Sequence, residues 1–242
     1  MTIYIFTGPT LSTAEGRAEL DAVYLPPAAQ GDVYRATLDR PWAIGIIDGY
    51  FERVPAVWHK EILWALAKGC RVYGAASMGA LRAAELAAFG MAPVGEIAGA
   101  YLRGELTDDD EVAVAHRDAE GGYAPVSEAM VNVRATLAAA RGAGVVSAAT
   151  HDAAVALVKG RFYAERQWAL VWAEGLRRGI AQAELDALKR WLPEGRVDAK
   201  RADALALVAR MRDEAGAEAA APAWKFEHTD AWEMLRRSVA GG

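Results

Sequence analysis

Arg71-Val72-Tyr73-Gly74-Ala75-Ala76-Ser77-Met78-Gly79-Ala80-Leu81-Arg82-Ala83-Ala84-Glu85-Leu86 reads as a short apolar strand, a tight turn and a helix. Ser77 stands at the turn, with Gly79 two places on and Gly74 three places back. That is the sequence form of a nucleophile elbow, in which a serine is lifted off the end of a strand onto the start of a helix. Small neighbours suit it because the turn is sharp and other backbone passes close by. The Met78 N–H, at the helix start, points where an oxyanion can form. The plainer reading makes Ser77 the N-cap of the helix, and small-x-Ser-x-Gly is a loose pattern.

Working outward, the same alternation recurs. Thr2-Ile3-Tyr4-Ile5-Phe6 is a near-continuous apolar run stopped by Thr7-Gly8-Pro9-Thr10, the signature of a buried parallel strand and a turn. Ser12 and Glu15 have capping-box spacing and open a helix. Ala22-Val23-Tyr24-Leu25 predicts a second strand, ended by Pro26-Pro27, and Asp32 opens another helix. Ala43-Ile44-Gly45-Ile46-Ile47 predicts a third strand, ending in Asp48-Gly49, and Pro55 suits the first turn of a helix to Lys68. Strand and helix in alternation mean right-handed βαβ units and a parallel sheet. The expected class is α/β, a Rossmann-like parallel sheet with flanking helices. Ligands of such sheets bind beyond the carboxyl ends of the strands. Gly8, Asp48, Gly49 and Ser77 fall on that rim, and so does His59, early in the helix after strand three.

Beyond Leu86 a helix is predicted from Pro93 to Leu102, an alternating run at Val112 to His116, and a helix from Pro125 to Arg141. Gly142-Ala143-Gly144 is the expected boundary between an α/β domain, 1–141, and an all-helical C-terminal lobe, 142–242. In that lobe, helices are expected over Ser147–Lys159, Ala164–Arg178, Gln182–Trp191, Asp198–Gly216 and Thr229–Val239. Trp168 and Trp172, four apart, share a helix face. With Trp191, Trp224 and Trp232 they read first as core packing, and second as a patch for a partner.

A net charge of −5 leaves no general nucleic-acid footprint. The single cysteine, Cys70, excludes an internal disulfide and a cysteine-only metal cage and fits a reducing compartment. Met1 to Thr7 lacks a basic n-region and a cleavage-site pattern, and no apolar run approaches membrane length. These features predict a soluble, cytoplasmic protein.

A serine nucleophile needs a base. Of the four histidines, His151 and His228 lie in the helical part, without a strand-end acid beside them in sequence. His59 is on the rim by topology, with Asp48 placed to orient its ring. Ser77, His59 and Asp48 are the candidate catalytic residues, and His116 is the reserve base. A solvated surface histidine is the competing reading of His59. Asp108-Asp109-Asp110-Glu111 invites a metal, but adjacent acids do not share a face and no calcium-loop pattern follows. It reads as a solvated turn or a charged contact surface, and no metal is expected. Arg82 can bind an acidic group near Ser77 or pair with Glu85. Gly-x-x-x-x-Gly-Lys-Ser/Thr and Gly-x-Gly-x-x-Gly are both missing, so no cofactor is expected either. Cys70 precedes strand four on the opposite edge and reads as a buried structural thiol.

Four stretches then combine. Ile46-Ile47-Asp48-Gly49-Tyr50-Phe51, Trp58-His59-Lys60-Glu61-Ile62-Leu63, Gly74 to Glu85 and Asp108 to His116 together resemble the TfuA-like core family. The resemblance covers roughly residues 3–140; the helical half carries little of it. It implies a partner of YcaO-type enzymes, which use ATP to activate a backbone amide and install sulfur as a thioamide. The TfuA-like partner is thought to supply or release that sulfur from a thiocarboxylated ubiquitin-like carrier. The expected activity is therefore hydrolysis of a thiocarboxylate at Ser77, with His59 as base. Gly8, Gly49, Met78, Gly79 and Arg82 are expected to bind the glycine-ended tail of the carrier. Competing readings are a non-catalytic adaptor that activates the YcaO enzyme and a general serine esterase. Against the last, acid and histidine do not follow the serine as they do in α/β-hydrolases. Association of the chain with itself stays open.

Overall fold

The computed structural model describes residues 1–52, 54–219 and 221–240. Contact divides the chain into two compact units, Met1–Thr107 with Arg201–Gly242, and Asp108–Lys200. The expected lobe 142–242 is therefore shared between them.

The first unit is built on a five-stranded sheet: β1 (Ile3–Phe6), β2 (Val23–Leu25), β3 (Ala43–Ile46), β4 (Arg71–Gly74) and β5 (Ala92–Pro93), in the order β2-β1-β3-β4-β5. Every pairing is parallel. Its helices are α1 (Thr13–Glu19), α2 (Asp32–Thr37), α3 (His59–Ala67), α4 (Met78–Leu86) and α5 (Gly95–Leu102). The expected capping box at α1 is formed: Glu15 N donates to Ser12 Oγ at 3.3 Å, and Ser12 N to Glu15 Oε2 at 3.1 Å. β5 escapes the sequence because two residues, one of them Pro93, have no period to read.

The last helices of the chain return to this sheet. α10 (Ala199–Asp213) buries Ala204, Leu207, Val208 and Met211 in one cluster with Ile3, Ile5, Ala43, Ile47 and Tyr73. Side chains alternate along a strand, so these positions mark one face of the sheet. Gly45, in the central strand, has no Cβ because Met211 Sδ and Leu207 Cδ2 would lie 2.8 and 3.0 Å from it. α11 (Asp230–Ala240) inserts the fully buried Trp232 against Tyr34 of α2 and Trp64 of α3, with ring centroids 5.2 and 5.3 Å away. Trp232 thus takes the core-packing reading.

α10 also caps α5. Asp203 accepts from Glu96 N at 3.0 Å and Ile97 N at 2.8 Å, supplying acceptors to first-turn donors that have none within their own helix. Asp203→Ala is expected to cost about 1–2 kcal/mol, as loss of a good cap does. The check is the urea midpoint, and an unchanged midpoint removes this cap from the account.

The second unit is helical: α6 (Met130–Gly142), α7 (Ala148–Lys159), α8 (Trp168–Glu174) and α9 (Gln182–Gly195). Leu137, Val146, Leu157, Val158, Trp168, Val171 and Leu188 form its core. Gly142-Ala143-Gly144 is the turn between α6 and α7, inside this unit. The helix expected over Ala164–Arg178 is broken into α8 flanked by 3-10 turns at Tyr163–Glu165 and Leu176–Arg178. Among the described residues no helix is long and apolar enough to cross a membrane.

Candidate functional site

In the strand order β2-β1-β3-β4-β5, the chain leaves β1 for β2 on one side and reaches β3 on the other. β1 and β3 therefore flank the switch point, where a crevice opens beyond the carboxyl ends. Asp48 stands there, two residues past β3 and 2% exposed. Its carboxylate accepts from Gly8 N at 2.9 Å, Thr10 N at 3.0 Å and Thr10 Oγ1 at 2.6 Å. It clasps the β1 loop to the β3 loop.

Ser77 lies on the adjacent strand end. Ser77 N donates to Ala75 O at 2.8 Å, two residues back, and Ala76 between them has φ +66°. This is a γ-turn with a non-glycine residue in the left-handed region, a strained conformation that holds only where the surroundings enforce it. Ser77 follows at φ −118°, ψ −125° and begins α4, but its side chain makes no cap hydrogen bond. The capping role proposed from sequence is therefore not the one it performs. In the first turn of α4, Gly79 N donates to Ile47 O, and Ala80 N and Leu81 N to Ser77 O. The Met78 N–H stands outside this set.

The glycines of the rim are occupied by close approach within the protein. A Cβ on Gly8 would meet Pro27 Cγ at 2.5 Å, one on Gly49 would meet Met78 Cγ at 2.7 Å, and one on Gly79 would meet Ile46 O at 1.7 Å. What these positions offer a ligand is backbone polarity rather than open space.

His59 is the first residue of α3, and its ring bonds to neither Asp48 nor Ser77. Nε2 lies 2.7 Å from Glu85 Oε2 on α4. Arg82 braces the pair: Nη1 donates to the same Glu85 oxygen at 2.8 Å, and Nε donates to Val57 O at 3.0 Å. Glu85 is eight residues past Ser77, about 12 Å of helix rise. The physical reason is the long connection 47–58, which lets α3 start beside the C-terminal half of α4 rather than at the strand end. Partial burial alone would raise the Glu85 carboxyl, but the bonds from His59 and Arg82 outweigh it and hold Glu85 below its ordinary range. Cys70, 3% exposed, is the buried thiol expected, and burial pushes it up to about 12. A cavity of about 400 Å³ lies against Cys70, Arg71 and Val72, at the end of β4 opposite Ser77.

A family model described as TfuA-like protein matches residues 48–167. The chain belongs to the TfuA-like family. The match begins at Asp48 and takes in His59, Ser77, Arg82, Glu85 and His116, while Gly8 precedes it. No curated protein matches the chain. The family is associated with YcaO enzymes and thioamide formation.

Within the second unit, the TfuA-like match also covers the acidic run. Of the expected solvated turn or charged contact surface, Asp108 and Asp109 are exposed, while Asp110 is half-buried and Glu111 is buried. A 3-10 turn at Asp109–Glu111 brings oxygens of Asp108, Asp110 and Glu111 within 4.8 Å of one another. Lys159 Nζ sits among them, 2.9 Å from Asp108 Oδ2 and 3.0 Å from Glu111 Oε1, and paired with Asp110. Arg134 grips Glu111 with two bonds of 2.9 Å. The fully buried Arg166 donates to Asp110 O at 2.7 Å and Arg161 O at 3.1 Å and pairs with the Asp110 carboxylate. The charge a metal would balance is balanced by these side chains. His116 belongs to this unit; its Nδ1 lies 2.6 Å from Arg117 O and its ring faces Tyr123.

Proposed function

We propose that this chain is the partner of a YcaO-type enzyme in backbone thioamidation. In this reading it releases sulfur from the thiocarboxylated end of a ubiquitin-like carrier at Ser77. The observation that supports it most is the γ-turn at Ala76, which spends strain to hold Ser77 at the strand end beside the switch point.

The chemistry balances with these residues. Ser77 Oγ attacks the thiocarboxylate carbon, and the C–S bond breaks. The hydroxyl proton leaves with the sulfur as hydrosulfide; relay by His59 requires its ring to leave Glu85 and approach Ser77. Water then cleaves the acyl-serine, returning the Ser77 hydroxyl and leaving the carrier with an ordinary carboxylate. The N–H of Met78 faces the oxyanion. The glycine-ended tail of the carrier lies along the rim formed by Gly8, Gly49, Met78 and Gly79. Activation of the amide by ATP stays with the YcaO enzyme.

Ser77→Ala is expected to lower sulfide release from a thiocarboxylated carrier at least about 10³-fold. Release at the normal rate sinks the assignment.

A second reading, an adaptor that activates the YcaO enzyme, is favoured by two observations. Ser77 is only 8% exposed, and the His59 ring bonds to Glu85 rather than to Ser77. Free sulfide separates the readings. If it restores thioamidation with the Ser77→Ala variant, sulfur release is the missing step. If the variant still fails although it binds the YcaO enzyme, Ser77 serves the contact.

A further inference from the structure

We propose that the backbone N–H of Gly49 is the second donor to the oxyanion formed at Ser77, beside the N–H of Met78. The proposal rests on the sulfur-release reading and deepens it. An oxyanion hole on an α/β sheet joins the N–H after the nucleophile to one from a neighbouring strand-end loop, and Gly49 lies in the loop that follows β3.

The argument starts from which rim donors are already taken. Gly8 N and Thr10 N donate to Asp48 Oδ2, and Gly79 N donates to Ile47 O. Asp48 N donates to Phe6 O and Ser77 N to Ala75 O. The N–H groups of Gly49 and Met78 have no acceptor among the described residues. For Met78 that is the ordinary state of a first helical turn. Gly49 is not at a helix end, and its direction follows from the pairing around it. In the parallel bridge between Ala28 and Gly49, Ala28 N donates to Asp48 O and Tyr50 N to Ala28 O, each at 3.0 Å. Those groups of residues 48 and 50 face the Ala28 side. In an extended chain the peptide groups of the residue between them face the other way, towards the end of β4, which pairs with β3 on that side. The elbow stands there: a Cβ on Gly49 would lie 2.9 Å from Met78 Cβ and 2.7 Å from Met78 Cγ. Gly49 is half-buried, whereas Met78 is buried, so an incoming carbonyl can reach the pair from the Gly49 side. As the bond from Ser77 Oγ to carbon forms, charge moves onto the carbonyl oxygen, and it returns when the C–S bond breaks. Two fixed N–H donors hold that charge without reorganising.

The test replaces Gly49 by glycolic acid in the full chain, made by in vitro translation. This exchanges the N–H for an ester oxygen and adds no side chain. For sulfide release from a thiocarboxylated carrier, kcat should fall about 10²-fold with KM little changed. The same exchange at Tyr50 removes a bond within the protein, so it should lower the urea midpoint and leave kcat of the folded chain near that of the parent. A peptide ending in glycinal, which adds to a serine as a tetrahedral adduct, gives a second readout. It should bind the Gly49 ester about 10²-fold more weakly than the parent, while the carboxylate-ended carrier keeps its affinity. Equal losses of kcat at Gly49 and Tyr50 make the Gly49 effect structural and overturn the proposal. Parent-like kcat for the Gly49 ester also overturns it, and leaves sulfur release standing if Ser77→Ala is inactive. Unchanged release by Ser77→Ala overturns both.

Discussion

Gly79→Ala should leave the sheet unit unable to fold. A Cβ at that position would stand 1.7 Å from Ile46 O and 2.6 Å from Ile46 C. Both are backbone atoms at the end of β3, whose neighbours β1 and β4 hold it on either side. A flexible side chain can swing away from such an intrusion, but a central strand cannot. Gly74 closes the same contact from β4, since its Cβ would lie 2.1 Å from Gly79 O. The pair of glycines lets the first turn of α4 sit at backbone distance on the strand ends. Separating them by a methyl group moves Ser77, Met78 and the whole of α4. The expected cost exceeds about 4 kcal/mol, a large part of what a domain has in total. Circular dichroism and urea titration provide the check, with Gly142→Ala as the control, because a Cβ there meets nothing within 4 Å. Native stability for Gly79→Ala would show that this packing account is wrong.

The second large effect is expected at Arg166. Its side chain is 0% exposed and satisfies Asp110 O, Arg161 O and the Asp110 carboxylate. Arg166→Met is close in size but has no donors. It strands the backbone oxygens of Asp110 and Arg161, at about 1–3 kcal/mol for each polar group left unpaired, while the Asp110 carboxylate, a third exposed, loses one of its two cations and keeps Lys159. Arg166→Lys should recover little, because an ammonium cannot reproduce the planar fork. Loss of the cooperative transition of the second unit is the expected result, and a midpoint equal to that of the parent would refute it. The same network predicts a pH dependence. Burial raises the carboxyls of Asp110 and Glu111, but bonds from Lys159 and Arg166, and from Arg134 and Lys159, outweigh it and hold both below their ordinary values. A carboxyl depressed in the folded state adds stability that is present above its unfolded pKa and lost as pH falls through the folded one. The second unit should therefore weaken below the ordinary carboxylate range and stay level at neutral pH.

Much of the fold could be read in advance, for reasons tied to particular residues. Runs such as Ile3 to Phe6 and Ala43 to Ile47 are apolar throughout because both faces of a parallel sheet are covered. Ser77 was visible because a strand, a small-residue turn and a helix follow one another within 16 residues. The partner of His59 was not. Assigning it to Asp48 assumed that a helix begins at the strand end, and the connection 47–58 carries α3 elsewhere. The i, i+3 pair Arg82–Glu85 was legible and is formed, but it was weighed only for Arg82, as pairing with Glu85 or as a contact for an acidic group, and not as a site for His59. The acidic run was likewise read as a solvated turn or a charged contact surface whose adjacent acids do not share a face, whereas a 3-10 turn gathers its carboxylates around Lys159. The face of α10 predicts burial, but no local pattern says against what.

That last helix has a consequence for how the molecule is made. Leu207 and Met211, which fill the space over Gly45, lie beyond the entire stretch 108–200. Vectorial synthesis delivers β1 to β5 first, and their apolar face must wait through the production of a complete second unit before α10 emerges to cover it. The interval in which the nascent sheet is bare is set by the length of that insertion and the speed of translation, and a pause or premature stop anywhere in 108–200 prolongs it.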